Sequence, residues 1–295
     1  MTVTRSGQIA GGKTSEQPAR KRWSLQPGRV MRRALGNDPA HEYFIYVPAN
    51  MAPGSPLFVG VHGISRNANG MARRFTALCD QFGVAMITPF FTKGHSRDYQ
   101  RLGRTGKGPR ADKALNSMLD EAALLTGADT ARICLFGFSG GAQFVHRYAM
   151  AYPHRVAAAV VVAAGWYTFP DARRRFPYGI RRSRDLADVR FDPEEFLRVP
   201  ITAMVGEHDT SASDLRSTPR AARQGKDRVE RARNWVEAMR AAATACNVDP
   251  AASLEVVQGG NHSFAGLMEK GRLGERVFTL LFGTRRPQAT GDGNG

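Results

Sequence analysis

Two hydrophobic patterns alternate along this chain: short apolar runs, and stretches in which apolar residues recur every three or four positions. The runs YFIYVP (43–48), LFVGVHG (57–63), VAMITP (84–89), ICLF (133–136), VAAAVVVAAG (156–165), ITAMVG (201–206) and LEVVQ (254–258) read as strands. Between them, Met71, Phe75, Leu78 and Phe82 mark a helix within 68–83, and Leu115, Met118, Leu119, Ala122 and Leu125 mark another. Val229, Ala232, Val236, Met239 and Ala243 give a long helix, and a single closing helix is predicted from Phe264 to Phe282. The run 156–165 is apolar throughout, as a strand covered on both faces is. Strands alternating with helices predict an α/β fold, a mostly parallel sheet with helices on both faces.

The alternation breaks at 166–199, where FPDARRRFPYGIRRSRD is too rich in Arg and Pro for core. This segment reads as a small insertion, a solvated lid or rim, with eight basic against six acidic side chains over 166–198. Residues 1–36 are polar, basic and without periodicity, and RRPQATGDGNG ends the chain in the same way. Both are expected to be disordered tails, leaving 37–284 as the folded domain and 285–295 as the second tail.

A chain of 295 residues, 42% of them apolar, can bury a sizeable core. No run approaches the roughly 18 apolar residues of a membrane span. The first residues carry positive charge but no apolar signal region, and the stretch after Arg32-Arg33 is too polar for a twin-arginine signal. Cys79, Cys134 and Cys246 have neither disulfide-framework nor metal-site spacing. Cys134, inside an apolar strand, reads as a core thiol suited to a reducing compartment, and a cytoplasmic protein is expected. The net charge of +16 is uneven. Residues 1–35 hold eight basic side chains against Glu16, and 93–113 hold seven against two acidic ones. Such charge attracts polyanions, anionic surfaces or anionic substrates without choosing among them.

The chemistry concentrates where strand gives way to helix at Gly137-Phe138-Ser139-Gly140-Gly141. This satisfies G-x-S-x-G, whose glycines permit a strained turn that exposes the serine hydroxyl at the carboxyl edge of the sheet. The helix that begins there points its N-terminus at any developing oxyanion. A serine nucleophile needs a base, and the base an orienting acid, in the chain order Ser, Asp or Glu, His. His262, in GGNHSF just past the last strand, is the candidate base; Asp209, after the strand 201–206, is the candidate acid, with Glu207 and Asp214 as fallbacks. His208 adjoins Asp209 too closely in sequence to face it. His146 and His154 read as packing or surface residues, and His41 and His95 are given no role. The oxyanion donors are expected from the backbone of Gly140 and of Ile64, in VHGISRN, with Ser65 as a neighbouring alternative. Trp166 and Tyr167 come directly after a strand and either line the substrate pocket or pack beneath the insertion.

With VHGIS, GFSGG, GEHD and GGNH in this order, the chain resembles the α/β-hydrolase superfamily over roughly residues 40–283. GFSGGAQF and AMAYPHRVAAAVVVAAG are most similar to its polyhydroxybutyrate-depolymerase and feruloyl-esterase-like group. The resemblance implies hydrolysis of a carboxylic ester, small or oligomeric, without a cofactor. Many members of that group are secreted and carry disulfides, and this chain is expected to depart from them on both counts.

Other motifs weigh less. GQIAGGKT (7–14) matches the phosphate-loop pattern to the letter but has neither the preceding strand nor the succeeding helix that its mechanism requires. HEYFI at 41 lacks a zinc-protease helix's second histidine, and no His, Cys or Asp group has metal-ligand spacing, so no metal is expected. The arginine runs alternate with acids, which argues against nucleic acid as a partner. The expectation is a serine hydrolase with Ser139, His262 and Asp209 as its triad, and the basic stretches 93–113 and 212–231 point to an anionic ester as its substrate. The alternatives are a thioesterase or amidase with the same triad, or a hydrolase-fold protein that binds a polyanion with little catalysis.

Overall fold

A computed structural model of the chain describes residues 25–211, 215 and 218–283. The phosphate-loop match at 7–14, most of the basic N-terminal tail, Asp214 and the C-terminal tail lie outside the described residues. The strands are β1 (Met31–Leu35), β2 (Asp38–Tyr46), β3 (Pro56–Val61), β4 (Ala85–Phe90), β5 (Asp129–Phe138), β6 (Val156–Val162), β7 (Ile201–Gly206) and β8 (Ala252–Val257). The helices are α1 (Ala68–Phe82), α2 (Ala111–Thr126), α3 (Gly140–Ala151), α4 (Pro193–Phe196), α5 (Pro219–Ala222), α6 (Arg228–Ala245), α7 (Phe264–Glu269) and α8 (Leu273–Phe282). The eight strands form one sheet in the order β1-β2-β4-β3-β5-β6-β7-β8. Only the pairings of β2 with β1 and with β4 are antiparallel. The α/β architecture read from the periodicity is therefore the one observed.

Alternate side chains of the inner strands feed two separate cores. Val59, Val61, Leu135, Val161 and Ala203 pack with α2, α3 and α6 on one face. Phe58, Met86, Phe136, Val160 and Met204 pack with α1, α7 and α8 on the other. From β3 the chain moves outward to β4 and then returns to lay β5 on the opposite side of β3. That reversal opens a crevice beyond the carboxyl ends of β3 and β5, where ligands bind in open α/β sheets.

Three expectations are corrected. The N-terminal tail does not run to residue 36, because Met31–Leu35 pairs with β2 at the sheet edge. Its arginines hide the strand pattern: Arg32 pairs with Glu42, and Arg33 lies 3.7 Å from Glu121. The closing helix is two helices. Arg272 is left-handed (φ 50°), and a side chain at Gly271 would come within 2.8 Å of the Leu267 carbonyl. The segment 166–199 is not only a solvated rim. Phe176, Leu186, Phe191, Phe196 and Leu197 are buried in the core shared with α3 and α6, while Arg173, Arg174, Arg175 and Arg181 are exposed. Apolar residues scattered irregularly among charged ones give no periodic signal, although each fills core.

Candidate active site

The turn from β5 into α3 sets Ser139 in a conformation few non-glycine residues adopt, φ 54° and ψ −110°. Such strain costs on the order of 1–3 kcal/mol and persists only where neighbours enforce it. Here the Ser139 N–H donates to the Val162 carbonyl at 2.8 Å. The flanking glycines are obligatory for space. A Cβ on Gly137 would lie 2.4 Å from the Gly141 carbonyl oxygen, and one on Gly141 only 1.9 Å from that of Val61. The hydroxyl is thereby held at the rim of the crevice.

β7 and β8 deliver its partners. Their ends are pressed together where Gly206 faces Gly260, leaving no room for a Cβ at either, and the His208 N–H donates to the Gly260 carbonyl at 2.7 Å. This brings Asp209 and His262 to one place. His262 Nε2 is 3.2 Å from Ser139 Oγ, and His262 Nδ1 is 2.7 Å from Asp209 Oδ2. The imidazole stacks on Phe138, ring centroids 5.2 Å apart. Asp209 is fully buried, and its other oxygen accepts from Arg228 Nη1 at 2.9 Å. The fallback acid Glu207 is turned away and exposed, accepting from the Gly259 N–H at 3.0 Å.

The loop after β3 faces the same hydroxyl, because Val61 pairs in register with Gly137. Ile64 is 60% exposed, unusual for an isoleucine, and a Cβ on Gly140 would fall 2.9 Å from its Cγ2. His62 braces this loop from below. Its Nδ1–H donates to the Gly63 carbonyl at 2.8 Å, and its Nε2 accepts from the Phe91 N–H at 3.1 Å. The Tyr99 hydroxyl donates to the His62 carbonyl at 2.9 Å. Burial lowers the His62 pKa to about 4. Burial lowers that of His146 as well; it is a packing residue whose ring nitrogens bond Ala142 O and Thr168 N.

A histidine depressed in the folded state binds fewer protons than its unfolded counterpart between pH 6.5 and about 4. Its stabilisation is complete above pH 6.5 and is lost as the pH falls through that window. For His62 the loss amounts to about 3 kcal/mol. Urea unfolding measured across the window is expected to fall more steeply for the native protein than for His62→Gln. Equal slopes would show that His62 does not titrate with unfolding.

The crevice above Ser139 is a cleft of about 1390 Å³. Trp166 lines it, with the Arg147 guanidinium 4.0 Å from the centre of its ring. Tyr167 does not line it. It is wholly buried and stacked on Trp235 at 4.8 Å, which settles the two readings of that residue in favour of packing. Only part of the basic stretch 93–113 reaches the cleft: Lys93, Arg97 and Arg101 line it, whereas Arg110 and Lys113 are paired with Asp188. Among the described residues Lys93 and Arg97 are exposed and face no carboxylate within salt-bridge distance. A second cavity of about 390 Å³ is lined by Tyr178 and by Arg173, Arg174, Arg175, Arg181, Arg220 and Arg223. The Tyr178 and Trp166 rings meet at a tilt with centroids 5.0 Å apart, so this aromatic pair stands between the two cavities.

Sequence reasoning missed Arg228 and Arg66. Arg228 opens α6, a place in the chain with no motif of its own. Arg66, left-handed at φ 59°, bonds the carbonyls of Phe91, Ser96 and Arg97 and so ties the basic loop to the loop after β3. It also missed that Asp38, His41 and His95 converge, each offering a ligand-type atom within 4.8 Å of the others. Their separation in sequence conceals this convergence, which spacing along the chain does not reveal.

A serine on a strand-to-helix elbow, in this sheet order, is the arrangement of the α/β-hydrolase fold, which the chain shares. Residues 41–176 match the family model described as esterase PHB depolymerase. The chain is similar to the poly(3-hydroxybutyrate) depolymerase LpqC of Bordetella parapertussis, at 27% identity and TM-score 0.73, covering 90% of this chain and 93% of that one. It is also similar to poly(aspartic acid) hydrolase-1 of Sphingomonas sp. KT-1, at 26% identity and TM-score 0.70, covering 81% and 93%. A curated relative, the bifunctional acetylxylan esterase/xylanase XynS20E of Neocallimastix patriciarum, is 27% identical over 117 residues. That match spans 39% of this chain and 16% of the relative. No helix among the described residues is long and apolar enough to cross a membrane.

Proposed function

We propose that this protein is a serine hydrolase that cleaves a carboxylic ester through an acyl-enzyme. The line from Ser139 Oγ to His262 Nε2 and from His262 Nδ1 to Asp209 carries the reading. In the neutral tautomer, Nδ1–H donates to Asp209 and Nε2 is free to accept. His262 then takes the Ser139 proton as Oγ attacks the carbonyl carbon. The resulting oxyanion accepts from the N–H groups of Gly140 and Ile64, a reading supported by the β3–β5 register and by the start of α3 at Gly140. As the tetrahedral intermediate collapses, His262 returns the proton to the leaving alcohol. Water, deprotonated by the same nitrogen, attacks the acyl-enzyme and releases the acid and Ser139. Asp209 holds the imidazole in this tautomer and stabilises its cation. No cofactor enters these steps. The free thiols of Cys79, Cys134 and Cys246 fit a reducing compartment, the cytoplasm.

Short p-nitrophenyl esters should be hydrolysed, and a serine-directed phosphonate should label the protein once, at Ser139. Retention on heparin without hydrolysis or labelling would instead favour a polyanion-binding protein on a hydrolase fold.

The substrate's charge is inferred from Lys93 and Arg97 at the cleft and from the arginine-lined cavity beyond Trp166. Both favour an acid or polymer chain bearing carboxylates, and one structural neighbour is named for hydrolysing a polyanion. Clustered charge concentrates an opposite ligand, and salt weakens it as the Debye length falls to about 8 Å at 0.15 M. At low salt a carboxylate-bearing ester is expected to exceed its matched neutral ester about tenfold in kcat/KM. The preference should shrink as salt is added. Equal rates at low salt would leave these cations as solubilising surface.

A further inference from the structure

Six arginines and Tyr178 line the cavity of about 390 Å³, and anchored backbone holds them there. One wall is the segment 171–181. It is closed on itself where the Arg181 N–H donates to the Arg174 carbonyl at 2.9 Å and the Ile180 N–H to that of Asp171 at 3.1 Å. Buried Phe176 fixes this wall to the core, and a Cβ on Gly179 would come within 2.4 Å of the Asp171 carbonyl oxygen. The other wall is α5 and the residue after it. Gln224 anchors it: the side chain is buried and exchanges two hydrogen bonds, each of 2.8 Å, with the Tyr167 backbone. The Tyr178 hydroxyl lies 3.1 Å from Thr218 Oγ1 and joins the two walls.

These cations are not neutralised from within. Asp171 lies 3.1 Å from Arg173 and 3.2 Å from Arg174. Among the described residues Arg175, Arg181, Arg220 and Arg223 have no carboxylate within salt-bridge distance, and all four are exposed. Exposed arginines are free to turn apart into solvent, and their mutual repulsion, only partly screened by salt, favours that. Two anchored walls that instead bring four such guanidiniums to one concavity form a receptor for negative charge. A guanidinium pairs a carboxylate through two parallel hydrogen bonds. A single carboxylate, with two oxygens, therefore leaves part of this set unused.

The cavity adjoins the cleft. Trp166 lines the one, Tyr178 lines the other, and their rings meet. The same stretches of chain supply both, with Gly165, Leu215 and Arg228 at the cleft. We propose that the cavity is a distal subsite for a substrate chain with a free carboxylate on every repeat, so that the ester cut at Ser139 belongs to an oligomeric polyanion and not to a small monoanion. The inference rests on the hydrolytic reading and adds a second point of recognition to it. Lys93 and Arg97 take a carboxylate near the scissile bond, the apolar backbone of the chain crosses the Trp166–Tyr178 pair, and the arginines take carboxylates further along. A polyester of a hydroxydicarboxylic acid has this chemistry, with an ester link and a free carboxylate in each repeat.

The test uses two series of oligoesters, from dimer to octamer: β-linked L-malic acid, and as its neutral match 3-hydroxybutyric acid, in which a methyl group replaces each carboxylate. At low salt kcat/KM for the malate series should rise about tenfold once the chain is long enough to reach the cavity, with no such rise in the neutral series. In Arg175→Gln and Arg223→Gln, one on each wall and both exposed, the octamer-to-dimer ratio should fall to that of the neutral series. The ratio is taken within each variant, so a general loss of activity cancels. Calorimetry of the malate octamer with Ser139→Ala, which binds without cutting, should show binding that an added Arg223→Gln weakens about tenfold. A malate series that does not rise with length, or a rise that both arginine variants keep, would overturn the proposal. If the native protein cuts no ester, the hydrolytic reading falls and calorimetry judges the cavity alone. Octamer binding weakened by Arg223→Gln then keeps it as a polycarboxylate site, and binding that is absent or unmoved overturns it.

Discussion

Replacing Ser139 by alanine is expected to lower kcat on a p-nitrophenyl ester by a factor on the order of 10⁶, while the protein stays folded. Both halves come from the elbow. The backbone strain at φ 54° is imposed by the Val162 hydrogen bond and by the tight approach of Gly137 and Gly141 to their neighbours. Alanine meets the same restriction as serine there, so the turn neither relaxes nor breaks. The hydroxyl contacts His262 at 3.2 Å, and its loss leaves an imidazole that is still held by Asp209. Stability should therefore change by no more than about 1 kcal/mol. His262→Ala should cost nearly as much activity, because base and nucleophile act as one unit. A Ser139→Ala protein that kept a tenth of native turnover, with the fold verified by circular dichroism, would remove Ser139 as the nucleophile.

The elbow was readable because its signal is local. An apolar strand, five residues with three glycines and a helical repeat stand consecutively, and the steric reasons for those glycines are visible in the motif itself. Asp209 and His262 were readable for a different reason: each comes directly after a strand, and parallel strands deliver their carboxyl ends to one edge. The residues that escaped are those whose role depends on packing between distant segments. Trp166 and Tyr167 are neighbours after the same strand, yet one lines the cleft and the other stacks on Trp235 in the core. Nothing in a dipeptide says which ring turns inward. Arg228 looked like one cation in a basic stretch, and only the approach of α6 to the end of β7 buries it against Asp209. β1 was lost because Arg32 and Arg33 find Glu42 and Glu121, partners that a linear reading cannot supply. Asp38, His41 and His95 needed the β2–β4 register to be recognised as one group.

Asp209→Asn is expected to lower kcat by about 10⁴, and Glu207→Gln to leave it unchanged within a factor of two. Arg228 makes the first effect a matter of tautomer. Its guanidinium donates to Asp209 Oδ1, and both side chains are buried. In the asparagine variant the carbonyl oxygen must stay toward Arg228, since an amide nitrogen there would face a donor. The amide NH₂ is then turned to His262 Nδ1, 2.7 Å from the native oxygen, and Nδ1 has to accept. The proton moves to Nε2, the nitrogen that should take a proton from Ser139, and the base is disabled without any displacement. KM should change little, because Asp209 is buried behind His262 and away from the acyl pocket. Glu207 has no such part to play. It is exposed and accepts from the Gly259 N–H, and glutamine's carbonyl can accept the same bond. Steady-state kinetics on the two variants decide the acid. Comparable losses in both, or an Asp209→Asn protein within tenfold of native kcat, would mean that some other carboxylate orients His262.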